Sequence, residues 1–82
     1  MGSVLAFPGT NPGDVAVGRR LKHWRDQRGC GVDALAGALK LTPQAVRRLE
    51  SGRAHMNSTQ MAVATRHLHL PVWALVSDTP AY

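Results

Sequence analysis

Apolar residues recur along this chain at the spacing of helices, and they do not alternate with polar residues as they would in a strand. Val17, Leu21 and Trp24 follow one another by four and three residues, so they share one helical face. The preceding pair Asn11-Pro12 suits a helix start, with Asn as the cap and Pro as the first residue. Since Gly29 suits a helix end, the pattern predicts a first helix between these points.

Two shorter helices follow, and the boundary between them is the clearest in the sequence. Thr42 is a favourable N-terminal cap and Pro43 a favourable first helical residue. One helix is therefore predicted over about residues 32–39, and another over about residues 43–51, with Gly52 as its end. The apolar positions expected to be buried on these two helices are Leu35, Ala36, Leu39, Val46 and Leu49.

The segment after residue 56 predicts two further helices. Asn57 and Gln60 are spaced as a capping box, in which each side chain bonds the backbone N–H of the other residue. The inner face of this fourth helix is expected to hold Met61, Ala64, Thr65 and Leu68. Pro71 is expected to begin a last short helix that extends to Val76. The chain is therefore predicted to be all-α, with five helices.

The composition divides the chain into three parts. Residues 1–13 are rich in Gly and Pro and contain no Lys or Arg, so we expect a flexible N-terminal arm. Residues 14–76 contain the five predicted helices and are expected to form one domain. Residues 77–82 are expected to form a C-terminal tail.

The predicted domain is strongly basic. The chain has 10 Lys and Arg residues against 5 Asp and Glu residues, and a net charge of +5 with neutral histidines. All ten cations lie within residues 15–76, where the only acidic residues are Asp26, Asp33 and Glu50. Such an excess attracts polyanions, so we expect nucleic acid as the partner ahead of an anionic membrane. A basic surface that is merely solvated is the alternative.

The sequence lacks the residues that several other kinds of site require. Cys30 is the single cysteine, which excludes an internal disulfide and favours a reducing, cytoplasmic compartment. No apolar run approaches the length of a membrane span. His67 and His69 diverge on a helix and have no Cys or carboxylate cluster beside them, so we expect no metal site. Without a nucleophile–base set or a Gly-rich phosphate loop, we expect no enzyme activity, cofactor or small-molecule ligand.

Residues spread over 18–76 are spaced as in a known family. They are Arg25, Leu35-Ala36, Leu41-Thr42, Val46, Leu49-Glu50, Gly52, Leu68-His69-Leu70 and Leu75. With them the chain resembles the lambda-repressor-like, Cro and XRE family of helix-turn-helix domains. The resemblance implies a compact five-helix domain that binds double-stranded DNA with its third helix in the major groove. The chain departs from the family at Lys40 and His69, where Gly is usual, and at Gly31, where Ser or Thr is usual.

The resemblance implies that the N-terminal half of the third helix contacts DNA bases. The residues concerned are Thr42, Pro43, Gln44, Arg47 and Arg48. The apolar pattern agrees, because Val46 and Leu49 face inward and leave the polar side chains of this helix outside. Arg bonds guanine and Gln bonds adenine through paired hydrogen bonds, so we expect Gln44 and Arg48 to contact bases. Arg47 is expected to contact either bases or backbone, and a solvated helix face is the alternative for both arginines.

Further residues are expected to contact phosphates or to hold the domain together. The expected phosphate contacts are Arg19, Arg20, Lys22, Lys40, Arg53 and His55. The resemblance also implies a structural ion pair between Arg25 and Glu50, which would link the first helix to the end of the third.

Trp73, beside Val72 and Val76, lies where the family usually has a polar residue. It is expected either to form a homodimer interface with these valines or to fold back over the core. Because one such domain contacts only a few base pairs, we expect a homodimeric repressor of prokaryotic or phage type on an inverted repeat, located in the cytoplasm with the nucleoid. A protein-interaction module that binds a toxin or another regulator is the alternative.

Overall fold

The structure, a computed structural model, describes residues 11–76, and this part of the chain is all helical. Its α-helices are α1 (Pro12–Gln27), α2 (Val32–Leu39), α3 (Pro43–Glu50) and α4 (Ser58–His67). A 3-10 helix, Val72–Leu75, follows α4. The prediction of an all-α helix-turn-helix fold is confirmed, whereas most of the predicted N-terminal arm and the whole predicted tail lie outside the described residues. Because α1 already begins at Pro12, the last two residues assigned to the arm are helical.

The prediction of a fifth α-helix is wrong. The segment after Pro71 forms only one turn of 3-10 helix, and Pro71 itself is extended with ψ 151° and acts as the cap. A helix this short gains too few hydrogen bonds to offset its nucleation. Val72, Trp73 and Val76 also have low helix propensity, because β-branched and aromatic side chains lose rotamer freedom in a helix. The segment therefore takes its shape from packing.

Side-chain caps set the starts of three α-helices at the predicted residues. Asn11 Oδ1 accepts hydrogen bonds from the N–H groups of Gly13 (2.7 Å) and Asp14 (3.4 Å) at the start of α1. Thr42 Oγ1 accepts from the Ala45 N–H at 3.1 Å, and Asn57 forms a complete capping box with Gln60. No side chain caps α2, which begins after Gly31.

The four α-helices end in the same way, in Schellman turns closed by paired backbone hydrogen bonds. Each turn contains one residue with positive φ, and glycine fills this position after α1 (Gly29) and α3 (Gly52). After α2 and α4 the position is filled by Lys40 (φ 59°) and His69 (φ 58°). A side chain with a Cβ atom is strained in this conformation by about 1–2 kcal/mol. Burial of the adjacent residues Leu39, Leu68 and Leu70 in the core offsets this strain.

This strain yields a prediction about stability. We expect Lys40→Gly to raise the free energy of unfolding by about 1 kcal/mol, because glycine adopts positive φ without the Cβ clash. Urea unfolding followed by circular dichroism measures the change. Lys40→Ala is the matched control, since it removes the charge and keeps the strain, and it should leave the stability nearly unchanged. An equal gain from both variants would contradict the strain and implicate the charge.

The core lies where the helices cross. Leu21 of α1, Leu35 of α2 and Val46 of α3 are fully buried, together with Leu68 just after α4 and Leu75 of the 3-10 helix. α2 packs against α3 and α4, while α1 packs against α3 and the 3-10 helix. Each buried side chain of this size contributes about 1.5–3 kcal/mol through its removal from water. The core thus holds α2 and α3 in a fixed relation and leaves the other face of α3 outside.

Gly18 lets α1 lie unusually close to the end of α3. A Cβ atom at this position would overlap the backbone oxygens of Leu49 and Glu50. Because backbone atoms cannot move aside as a side chain can, any larger residue would push the two helices apart. The close approach holds α1 against the C-terminal end of α3 at Gly18.

Candidate nucleic-acid interface

The outer face of α3 carries the polar residues singled out from the sequence. Val46 and Leu49 of α3 are buried, and a helix turns by about 100° per residue. Gln44 therefore lies opposite the buried pair, with Arg47 about 60° to one side and Arg48 about 40° to the other. All three side chains are exposed, as are Thr42 and Pro43 at the start of the helix. The structure thus leaves all five predicted base-contacting residues accessible.

The turn between α2 and α3 is short and closed. The Lys40 N–H donates to the Gly37 carbonyl at 3.2 Å, and the Leu41 N–H donates to the Ala36 carbonyl at 2.9 Å. Thr42 then caps α3, so every residue from the end of α2 to the start of α3 has a defined backbone conformation. Such a turn fixes α3 as a rigid, protruding element on α2.

An ion pair locks α1 to the end of α3. The Arg25 guanidinium donates to Glu50 from Nε at 2.5 Å and from Nη2 at 3.3 Å, and the side chains are only 11% and 5% exposed. Arg25 Nη1 also donates to the Cys30 carbonyl at 3.0 Å, which ties the α1–α2 turn to the same group. The hydrogen bond with Glu50 raises the pKa of Arg25 above its usual value, against the opposing effect of burial. Both carboxylate oxygens of Glu50 are thus engaged by Arg25 within the fold.

A groove of about 500 Å³ lies on the surface between α1, the start of α2 and α3. Its lining residues are Lys22, Arg25, Val32, Arg47, Glu50 and Ser51. Arg25 and Glu50 neutralise each other there, so Lys22 and Arg47 give the groove a positive charge.

Comparison with known families identifies this arrangement. A family model described as a helix-turn-helix domain matches residues 16–72, which include all four α-helices except the first turn of α1. The chain belongs to the helix-turn-helix domain family. The resemblance to lambda-repressor-like and XRE domains is thereby confirmed. No curated protein matches this helix-turn-helix domain in sequence.

Solved structures share the fold. The clp gene regulator ClgR from Corynebacterium glutamicum has 26% sequence identity and a TM-score of 0.74, and the match covers 79% of this chain and 84% of that one. The restriction-modification controller protein C.AhdI from Aeromonas hydrophila has 22% identity and a TM-score of 0.70, over 76% of this chain and 94% of that one. Hydroxypropylphosphonic acid epoxidase from S. wedmorenis has 26% identity and a TM-score of 0.75, over 87% of this chain but only 38% of that one. The same fold therefore also occurs as part of a longer enzyme chain.

The residues expected to contact phosphates fall into two groups in this helix-turn-helix domain. The side chains of Arg19, Lys22, Lys40 and Arg53 are exposed. Arg20 is half-buried instead, and its Nη1 donates to the Leu75 carbonyl at 3.2 Å. His55 Nδ1 lies 2.8 Å from the Asp14 carboxylate and joins the α3–α4 loop to the start of α1. Contacts within the fold thus engage both Arg20 and His55.

Arg28 is a structural residue that the sequence pattern missed. Its Nε donates to the Leu68 carbonyl at 2.9 Å, and its Nη2 lies 3.5 Å from the His69 carbonyl. Its guanidinium also lies 5.3 Å from the ring centroid of Trp24. Trp24 and Arg28 are four residues apart and so share one helical face. No local feature of the sequence indicates that the end of α4 packs against this face.

The 3-10 helix and the residue that follows it carry exposed apolar side chains, which we call the apolar patch: Val72, Trp73 and Val76. Val72 and Val76 are 69% and 54% exposed, while Trp73 is 37% exposed. Trp73 was expected either to be available for an interface or to fold back over the core. Its partial exposure lies between these two arrangements. The patch is the main cluster of large exposed apolar side chains among residues 11–76.

None of the helices within residues 11–76 has the length and apolar character needed to cross a membrane. Within the same range, no group of three or more His, Cys, Asp or Glu side chains is placed to hold a metal ion. His67 and His69 are exposed at the end of α4.

Proposed function

We propose that the protein is a sequence-specific transcriptional regulator that binds double-stranded DNA with α3 in the major groove. The observation that carries the proposal is the outer face of α3, where Gln44 is flanked by Arg47 and Arg48 and all three are exposed. The domain has no need of two adjacent exposed arginines and a glutamine for its own folding. These side chains match the donors and acceptors that base edges present in the major groove.

The residues of α3 have distinct roles in this proposal. Arg48 donates two hydrogen bonds to O6 and N7 of guanine, and Gln44 pairs in the same way with adenine. Thr42 and Pro43 provide apolar contact to a thymine methyl group. Arg19, Lys22, Lys40 and Arg53 contact phosphates and hold the domain in register without selecting a sequence.

The proposal is tested by selection from a random duplex pool, followed by fluorescence anisotropy with the selected duplex. A scrambled duplex of equal composition is the control, and both are titrated across a salt series around 150 mM. We expect the selected duplex to bind about a thousandfold more tightly or better, the ratio typical of specific regulators. Equal binding of both duplexes that disappears with added salt would contradict sequence-specific regulation.

We further propose that the protein acts as a homodimer joined through the patch of Val72, Trp73 and Val76. Aromatic side chains with a partly exposed apolar surround are frequent anchors of interfaces. A two-fold dimer would place two copies of α3 about 34 Å apart, one helical turn of DNA, and so would bind an inverted repeat. As a repressor in the cytoplasm, bound to the nucleoid, it would act by covering promoter DNA. This proposal includes no enzyme activity.

The dimer yields a prediction for Trp73→Ser. Loss of an anchoring tryptophan is expected to raise the dimer dissociation constant by about thirtyfold or more, and sedimentation equilibrium measures this constant. Affinity for an inverted repeat should fall, while affinity for a single half-site should not change. Val15→Ser, an exposed valine on α1, is the matched control. A wild-type protein that stays monomeric both free and on DNA would contradict the dimer.

The same patch favours a second candidate function, a protein-interaction module that binds a toxin or another regulator. In that case Trp73→Ser would abolish capture of the partner, and substitutions at Gln44, Arg47 and Arg48 would have no effect on it. For a single DNA half-site, the proposed DNA-binding function predicts the reverse: Trp73→Ser has no effect, and substitutions at Gln44, Arg47 and Arg48 weaken binding. Contact of α3 with DNA is compatible with this function, since α3 and the patch are different surfaces, whereas a second copy of the chain and the partner would compete for the patch.

A further inference from the structure

We infer that Arg47 and Lys22 together bind one backbone phosphate of the DNA, so that Arg47 provides affinity and Arg48 provides sequence selectivity. The inference rests on the proposed function and assigns different DNA contacts to two adjacent arginines on α3. From the sequence alone, Arg47 was expected to contact either the bases or the DNA backbone.

The first argument is the orientation of Arg47 on α3. Residues four positions apart lie in one row along a helix. Gln44 and Arg48 therefore share one row, and Pro43, Arg47 and Ser51 share another. The Arg47 row lies on the same side of α3 as Glu50, about 60° away. Since Glu50 is bound to Arg25 of α1, the Arg47 side of α3 is the side that faces α1.

The second argument is the charge around Arg47. Glu50 follows Arg47 by three residues and would ordinarily be its ion-pair partner on a helix. Both carboxylate oxygens of Glu50 instead accept from Arg25. Among the described residues no carboxylate lies within ion-pair distance of Arg47, and its charge remains available to an external anion.

The third argument is the groove between α1 and α3. Lys22 of α1 and Arg47 of α3 line the same groove, above the neutral Arg25–Glu50 pair. Lys22 lies 3.5 Å from Asp26, but with side chains 60% and 54% exposed this ion pair is weak and easily exchanged. Two cations from different helices across a groove form a site for one anion. Arg48 does not line this groove.

The placement of α3 in the major groove then explains why Arg48 contacts bases while Arg47 contacts a phosphate. A helix in the major groove directs its central row at the base edges, and its flanks face the two sugar–phosphate backbones. The row of Gln44 and Arg48 lies nearest the outward pole of α3, so it meets the bases. The flank that carries Arg47 continues onto α1 through Lys22, so it meets the backbone.

The experiment uses the full chain and the selected duplex, with Arg47→Gln, Lys22→Gln and the double variant. Arg66→Gln is the matched control, because Arg66 is exposed on α4 and loses the same charge away from α3. We expect Arg47→Gln to weaken the selected and scrambled duplexes by one common factor and to lower the salt slope by about 1. The base preference at every position should be unchanged. Thermal unfolding of each variant checks that the fold is intact.

A second measurement locates the phosphate. Methylphosphonates placed one at a time along the duplex remove single backbone charges, and wild type should lose affinity at each contacted phosphate, including the one that Arg47 and Lys22 share. Arg47→Gln and Lys22→Gln should both become insensitive at that same position. A changed base preference in Arg47→Gln, or separate methylphosphonate positions for the two variants, would overturn the inference alone. If wild type binds no duplex, the proposed function fails together with the inference.

Discussion

Glu50→Ala is expected to lower the free energy of unfolding by about 3–5 kcal/mol, because it leaves the Arg25 guanidinium without its main partner in a mostly buried position. Natural domains have about 5–15 kcal/mol of stability in total, so much of this protein would be unfolded at moderate temperature. The Arg25 bond to the Cys30 carbonyl would remain, but a carbonyl does not neutralise a buried charge. Urea unfolding measures the loss.

Asp26→Ala is the matched control for this variant. Asp26 also lies 3.5 Å from Arg25, but its side chain is 54% exposed, so its loss should lower stability by less than about 1 kcal/mol. The double variant R25M/E50L, which replaces both charges with apolar side chains of similar size, should recover most of the stability. A loss below 1 kcal/mol in Glu50→Ala would show that the ion pair does not hold α1 against α3.

Arg48→Ala is expected to remove the preference for guanine at one base pair in each half-site. A bidentate arginine contact discriminates against the wrong base by about 1–3 kcal/mol, which corresponds to about five- to 150-fold in affinity. Selection from a random duplex pool should show the loss as one degenerate position, with the neighbouring positions unchanged. The substitution lies on an exposed side chain, so the thermal unfolding midpoint should not change.

Arg66→Ala is the control for charge in this comparison, and it should leave all base preferences as they are. The contrast with Arg47→Gln is decisive for α3, because adjacent arginines are expected to give opposite phenotypes. An Arg48→Ala protein with unchanged affinity and unchanged base preference would mean that α3 does not lie in the major groove as proposed.

The local elements of the fold could be predicted from the sequence because their determinants are local. Asn11, Thr42 and Asn57 cap their own helices, and each cap needs only the two or three residues that follow it. The apolar rows of α1 to α4 likewise follow from residues within one helix. The last segment was predicted wrongly because a single turn has no stability of its own, and its packing against α1 and α4 sets its form.

The candidate site was only partly predictable. The residues of α3 could be placed outside because Val46 and Leu49 had to be inside. Arg20 and His55 looked equivalent to the other polar residues, yet the structure ties them to Leu75 and Asp14, which are 55 and 41 residues away in the chain. Sequence spacing carries no information on such contacts, since they depend on how the helices cross.

By itself, the sequence determined where the four α-helices begin and end, which faces they bury, and the basic character of the domain. Only the tertiary structure decided that Lys40 and His69 adopt positive φ, that the last segment is a 3-10 helix, and that Arg47 faces α1. The physical reason is the range of the interactions. Caps and periodicity act over a few residues, whereas strained turns and the charge around a side chain depend on partners brought together by the packed core.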